Sequence, residues 1–152
     1  MPGKVLYRSI LISTVIGLIS ACSTTPDKPI EELDASAMAN ELEDTSWEVL
    51  TIYGNKADAA VATLQFSADN RVSGATGCNN FSGQATLDDS SLDFGLLATT
   101  RKMCTPALNG QERVYLEALD IITAWQLNGN TLELTDAEDQ VIITLTEAEG
   151  GS

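Results

Sequence analysis

The stretch Leu127–Leu145, LNGNTLELTDAEDQVIITL, holds the pattern on which the fold turns. Leu132 and Leu134 alternate with polar residues, and Val141, Ile143 and Leu145 do the same. Period two marks a strand with one buried and one wet face. Asn128-Gly129-Asn130 precedes the first run and Asp136–Asp139 separates the two. Such Asn-Gly and Asp-rich breaks supply the positive φ angles of tight hairpins. The stretch therefore predicts antiparallel strands joined by short turns.

The same pattern extends upstream. Trp47, Val49, Thr51 and Tyr53 alternate, as do the pairs Leu64/Phe66 and Leu92/Phe94, with breaks at Gly54-Asn55, Asp69-Asn70 and Asp88-Asp89-Ser90. An antiparallel meander follows. A frame of Leu, four residues, Leu, acid, apolar recurs at Leu87–Phe94 and Leu127–Leu134; two hairpins meeting the same physical demands produce it without duplication. One segment, Asn109–Ile122 (NGQERVYLEALDII), breaks the period. Asn109 followed three residues on by Glu112 fits a capping box. Tyr115, Leu119 and Ile122 then fall at i, i+4 and i+7, which predicts a helix with an apolar stripe packed on the sheet. Glu112, Arg113, Glu117 and Asp120 are expected on its wet side. The folded part is expected to span 45–147, the size of one domain, and to be mainly β.

The N-terminus begins with Lys4 and Arg8, then runs apolar from Ser9 to Ile19. A positive start, a short apolar stretch and small residues have the layout of a secretory signal. A helix over the apolar stretch would reach about 16 Å against a hydrocarbon core of roughly 30 Å, so a membrane span is the weaker reading. Ile19-Ser20-Ala21-Cys22 looks like a lipobox, in which the thiol accepts diacylglycerol. Cleavage before Cys22 is expected, with 1–21 the lipoprotein signal peptide and Cys22 the lipidation site that ties the chain to a membrane. Ser23, by resemblance to Gram-negative sorting patterns, suggests the periplasmic face of the outer membrane. Residues 22–44 contain Pro26, Pro29 and many acids, little that can be buried, and read as a flexible tether; 148–152 read as a disordered tail.

Charge and composition exclude more than they specify. The formal net charge is −14, and removal of 1–21 takes away Lys4 and Arg8 but no acid, leaving −16. Such a chain repels nucleic acid and anionic lipid surfaces. It contains no histidine, which removes imidazole acid–base chemistry and His-based metal sites. Asp136–Asp139 lacks the glycine and terminal Glu of an EF-hand loop and reads as a turn. No cofactor or metal is required by any spacing. With Cys22 given to lipid, Cys78 and Cys104 remain as an even pair; in an exported chain they suggest a disulfide, with a reactive or metal-binding thiol pair as the alternative.

The run Arg71–Gly83, RVSGATGCNNFSG, resembles the Gly–Cys–Asn–x–Phe–x–Gly signature of the META domain, found in heat-shock-inducible HslJ-like bacterial lipoproteins. Leu92-Asp93-Phe94-Gly95 and Leu97–Cys104 (LATTRKMC) resemble that family's second motif, although Met103 stands next to the cysteine where the family more often has a small residue. Trp47, Glu112 and Leu119 also fit, so the likeness covers essentially all of 45–147. The resemblance implies a small antiparallel, barrel-like, lipocalin-related META domain carrying one helix, and no catalytic residues. Asn79, Asn80 and Phe81, with Thr100, Arg101 and Lys102, then form a possible interaction surface; Arg101-Lys102 is the only adjacent basic pair after Cys22. Three functions compete: a non-enzymatic envelope lipoprotein acting under stress through contacts with an unidentified envelope protein, a carrier of a small apolar or anionic ligand, and, least favoured, a hydrolase using carboxylates.

Lipidation gives the first test. Cys22→Ser should abolish incorporation of labelled palmitate in cells and leave the leader uncut, read by labelling and intact mass. Label retained by that variant would sink the assignment.

Overall fold

A computed structural model describes residues 41–57 and 62–149. The expected leader, nearly all of the tether including Cys22, and residues 150–152 lie outside the described residues. The strands are β1 (Ser46–Ile52), β2 (Asn55–Lys56), β3 (Thr63–Ser67), β4 (Arg71–Ala75), β5 (Asn80–Asp88), β6 (Ser91–Phe94) and β7 (Ala98–Thr99), followed by helix α1 (Pro106–Leu119), then β8 (Ala124–Asn128), β9 (Thr131–Thr135) and β10 (Val141–Glu147). Pairing runs antiparallel through β1, β3, β4, β5, β6, β8, β9 and β10, and β10 returns to β1. The result is a closed eight-stranded barrel with one helix. Closure leaves those eight strands no long unpaired edge. The short β2 and β7 ride on β1 and β5.

The expected turn chemistry is present. Asp69 and Asn70, in the turn between Ser67 and Arg71, both take positive φ, 62° and 58°, a region that Asp and Asn enter more readily than most residues. The recurring Leu frame is also explained: Leu87 faces Leu92 across β5–β6, and Leu127 faces Leu132 across β8–β9. Each is one cross-strand apolar pair beside a hairpin turn.

Two β-bulges shift the alternation. On β1 the register slips at Leu50, so Trp47 and Val49 point inward, Ile52 takes over, and Tyr53 is left exposed. On β10 the slip at Ile142 buries Ile142 and Ile143 together and turns Val141 outward. An extra residue on one strand bends it and raises its twist, which a small barrel needs. Inside, Trp47, Phe66, Leu92, Leu134, Ile143 and Leu145 are essentially removed from solvent. Burial of each contributes roughly 1.5–3 kcal/mol. One buried donor among the described residues, Trp125 Nε1, finds no partner.

Helix α1 starts earlier than the capping-box reading placed it. Thr105, not Asn109, is the N-cap: its hydroxyl accepts from Leu108 N–H, and Pro106 occupies the first turn. A proline with fixed φ and no N–H suits that position, so Thr-Pro outcompetes Asn-Gly. Tyr115, Ala118 and Leu119 form the buried face, continued by Ile122 just past the helix. The Tyr115 hydroxyl donates to Thr63 O at 3.2 Å; burial raises its pKa well above the ordinary value and keeps it protonated. The helix thereby lies across the barrel end where β1 and β4 finish and β3 and β5 begin.

Both expected boundaries extend outward. Leu42, placed in the tether, is fully buried in the core, and Thr45 donates both N–H and hydroxyl to its carbonyl. At the other end Ala148 N–H donates to Ser46 O at 2.8 Å, extending the ordered chain past 147.

Two glycines give opposite predictions. A Cβ on Gly74 would be driven onto the Thr63 carbonyl and lie 2.7 Å from the Phe81 ring. Gly74→Ala should destabilise by about 2–3 kcal/mol through this overpacking. A Cβ on Gly110, inside α1, meets nothing within 4 Å, so Gly110→Ala should stabilise by about 0.5–1 kcal/mol. Urea unfolding of both variants checks the pair.

Candidate functional site

The turn between β4 and β5, Thr76-Gly77-Cys78-Asn79, is the centre of the motif-bearing region. Gly77 sits at φ +103°, and a side chain there would run into the Gln111 carboxamide. That carboxamide donates to Thr76 O at 3.0 Å. Thr76 N–H donates to Asn79 O at 2.8 Å, which closes the turn. Thr76 and Asn79 are the two buried polar side chains among the described residues.

Asn79 binds three parts of the chain. Its Oδ1 accepts from Lys102 N–H at 2.6 Å and from the Thr100 hydroxyl at 2.9 Å. Its Nδ2 donates to Lys102 O at 3.3 Å and to Glu112 Oε1 at 3.2 Å. Its own N–H reaches Glu112 Oε2 at 3.0 Å and Thr76 Oγ1 at 3.0 Å. The side-chain amide thus pairs with the Lys102 peptide through one donor and one acceptor, as a strand residue would. It extends the sheet one rung beyond the short β5–β7 ladder, whose last bond is Thr100 N–H to Asn80 O at 3.0 Å. Aspartate has the same shape but no donor, so only asparagine completes the arrangement.

Glu112 corrects an expectation. The wet side of the helix was its predicted place, yet it is half-buried, and besides the Asn79 groups it accepts from the Thr76 hydroxyl at 2.6 Å. A charged acceptor shared by an amide, a peptide N–H and a hydroxyl is a strong anchor. The hydroxyl has one proton, and the carboxylate takes it. Arg113 and Glu117, by contrast, form an exposed i,i+4 pair at 3.7 Å.

The disulfide Cys78–Cys104 is present, with Cα atoms 5.8 Å apart. It joins the turn to the end of the segment 95–104, the strap that leads from β6 to α1. Closing a 26-residue separation stabilises the domain by about 3.5 kcal/mol on the chain-entropy account. Asp136 spends its carboxylate on the N–H groups of Glu138 and Gln140, so its loop is a self-capped turn. No cluster of three or more metal-ligating side chains occurs among the described residues.

The six surface candidates divide. Asn79 and Phe81 are buried, the first as the hub and the second against Tyr115 with ring centroids 5.8 Å apart. Asn80, Thr100, Arg101 and Lys102 are exposed along one edge. Thr76 and Gln111 escaped sequence reasoning; Thr76 lies inside the Gly-rich motif, which is the signal that could have found it.

A small closed antiparallel barrel, crossed at one end by a helix and pinned there by a disulfide and a buried amide, defines the class. The chain belongs to the META domain family, whose model matches residues 40–149. The fold resembles the NMR structure of a protein from Burkholderia xenovorans, 28% identical, with a TM-score of 0.59 over 74% of this chain and 88% of that one. A DUF4847 family protein from Bacteroides vulgatus, 15% identical, shares the fold with a TM-score of 0.53 over 74% of this chain and 98% of its own. No curated protein shows significant sequence similarity.

Asn79→Ala should cost about 2–4 kcal/mol, since Lys102, Thr100 and Glu112 lose partners in a buried setting. Asn79→Asp should cost at least as much, because a second carboxylate would face Glu112. Asn80→Ala, on an exposed side chain, should stay within about 0.5 kcal/mol. Denaturant unfolding with the disulfide intact decides; equal effects at 79 and 80 would remove Asn79 from its central role.

Proposed function

We propose that this protein is a non-enzymatic cell-envelope lipoprotein, anchored through lipid on Cys22, that protects or monitors envelope components under stress by contacting other proteins. The observation that favours contact over chemistry is where the motif spends its polar atoms. Asn79, Thr76 and Glu112 are engaged with one another and with the strap backbone. What they present outward is a fixed edge bearing Asn80, Thr100, Arg101 and Lys102. An interior filled by large side chains such as Trp47, Phe66 and Tyr115 supports this reading over enclosure of a small ligand.

The strap is suited to recognition by its charge. From Phe94 to Gln111 there is no acidic residue, in a chain holding 22. Arg101 and Lys102 therefore stand together on a long acid-free stretch and offer an anionic partner a place to dock.

A photo-crosslinking residue at position 100 or 101 should capture a defined protein in heat-stressed cells, while the same residue at 88 or 128, at the other barrel end, should not. No adduct at 100 or 101, or the same adducts at all four, would overturn the reading.

A further inference from the structure

A groove of about 550 Å³ runs between the start of the strap and the last turn of α1. Phe94, Leu97 and Leu116 form an apolar floor, while Glu117 and Asp120 stand on one rim. Leu96, 99% exposed, stands on the opposite side as a bare apolar ridge. This volume lies in the roughly 300–1,000 Å³ range of binding clefts.

The groove also contains an unused piece of strand edge. Gly95 N–H donates to Gln84 O, so Gly95 faces β5, and Leu92 N–H donates to Thr123 O, so Leu92 faces β8. Alternation along β6 then turns the Phe94 peptide N–H and C=O towards the β8 side. There no strand lies beside Phe94, because β8 starts at Ala124 opposite Ser91 and runs away from it. Phe94 lines the groove, and its peptide N–H and C=O, with no strand beside them, suit an extended backbone laid there.

Charge selects the occupant. The C-terminal end of a helix carries partial negative charge, yet the last turn of α1 contains no basic residue and Asp120 is its C-cap. Arg113 offsets Glu117 only through an exposed pair at 3.7 Å, and Asp120 has no ion pair among the described residues. This arrangement works against the helix and in favour of a cation arriving from outside. A bare metal ion would make no use of the apolar floor, and an apolar tail would make none of the rim.

We propose that this groove takes a short extended peptide segment in which a basic side chain alternates with bulky apolar ones. The backbone pairs at Phe94, an apolar side chain packs on Leu97 and Leu116 beside Leu96, and the basic group meets Glu117 and Asp120. The proposal rests on the reading that the domain works through protein contacts, but it uses a different surface from Thr100–Lys102.

The test is a titration of the full chain in detergent with a labelled, end-blocked six-residue peptide alternating isoleucine and lysine, followed by fluorescence anisotropy against a detergent blank. Binding should weaken about tenfold or more in the double variant Glu117→Gln, Asp120→Asn. It should be unchanged in the charge-matched control Asp88→Asn, Asp89→Asn. An isoleucine–glutamate peptide should not bind, and N-methylation of the lysine peptide backbone should weaken it about fivefold or more through lost edge pairing. No saturable binding, equal binding of the acidic peptide, or indifference to the double variant would overturn the groove proposal. Crosslinks at positions 100 and 101 without peptide binding would end this inference alone. Peptide binding without those crosslinks would leave the groove and remove the strap-edge reading.

Discussion

The folded part depends on a side-chain amide behaving as backbone. The strap 95–104 pairs with β5 over only two residues of regular ladder, too few to hold ten residues of chain against their conformational entropy. Asn79 supplies the missing rung by pairing Oδ1 and Nδ2 with the Lys102 peptide. Glu112 then binds Asn79 and Thr76 together, so the turn, the strap and the helix become one unit. The disulfide acts on the turn and the strap by a different means, restricting the unfolded chain and not the native one. One crosslink limits how far the strap can stray, and the amide fixes where it lies.

That junction matters because the barrel is uneven. Most neighbouring strands share several residue pairs, but β6 and β8 share one, with a backbone bond on each side of it. The helix is inserted in the connection at this seam. Its own electrostatics do little for it, since acids are absent from the first turn and bases from the last. It is held by Tyr115, Ala118 and Leu119 against the core and by Glu112 and Gln111 against the turn. Packing and buried hydrogen bonds, not propensity or dipole, set its place. The helix that connects the two strands of the thinnest seam thus owes its place to long-range contacts.

Strand alternation and turn residues were legible because both arise from neighbours in sequence. Asp69-Asn70 and the two Leu pairs beside hairpins needed no knowledge of the rest of the chain. The bulges at Leu50 and Ile142 were not legible: a bulge is a relation between two strands, and one strand's pattern shows only a run of apolar residues. Leu42 was hidden for a related reason, standing alone among acids in ELED with no periodic partner. The N-cap is ambiguous in sequence because two local signals compete, Thr105-Pro106 and the Asn109–Glu112 spacing. Glu112 was assigned to solvent by helical geometry, which records the face a residue occupies but not that a buried amide and hydroxyl wait opposite it. Asn79 belonged to a motif that could be matched, while its partners at 100, 102 and 112 are joined only by folding.

The same distinction bears on where function can reside. A motif invites the thought that its polar residues act on something outside the chain. Here their hydrogen-bonding capacity is largely spent: Oδ1 and Nδ2 of Asn79 each have two polar partners, and Glu112 uses both oxygens. A group that must release several buried bonds before meeting a ligand starts with a penalty of about 1–3 kcal/mol for each partner left unsatisfied. Residues with nothing to release are the better candidates. Leu96, Arg101, Asp120 and the Phe94 peptide have exposure or an open edge and make little use of it within the domain. The buried polar residues of the motifs therefore build and hold the domain, and the exposed groups around them are the ones that the proposed contacts would use.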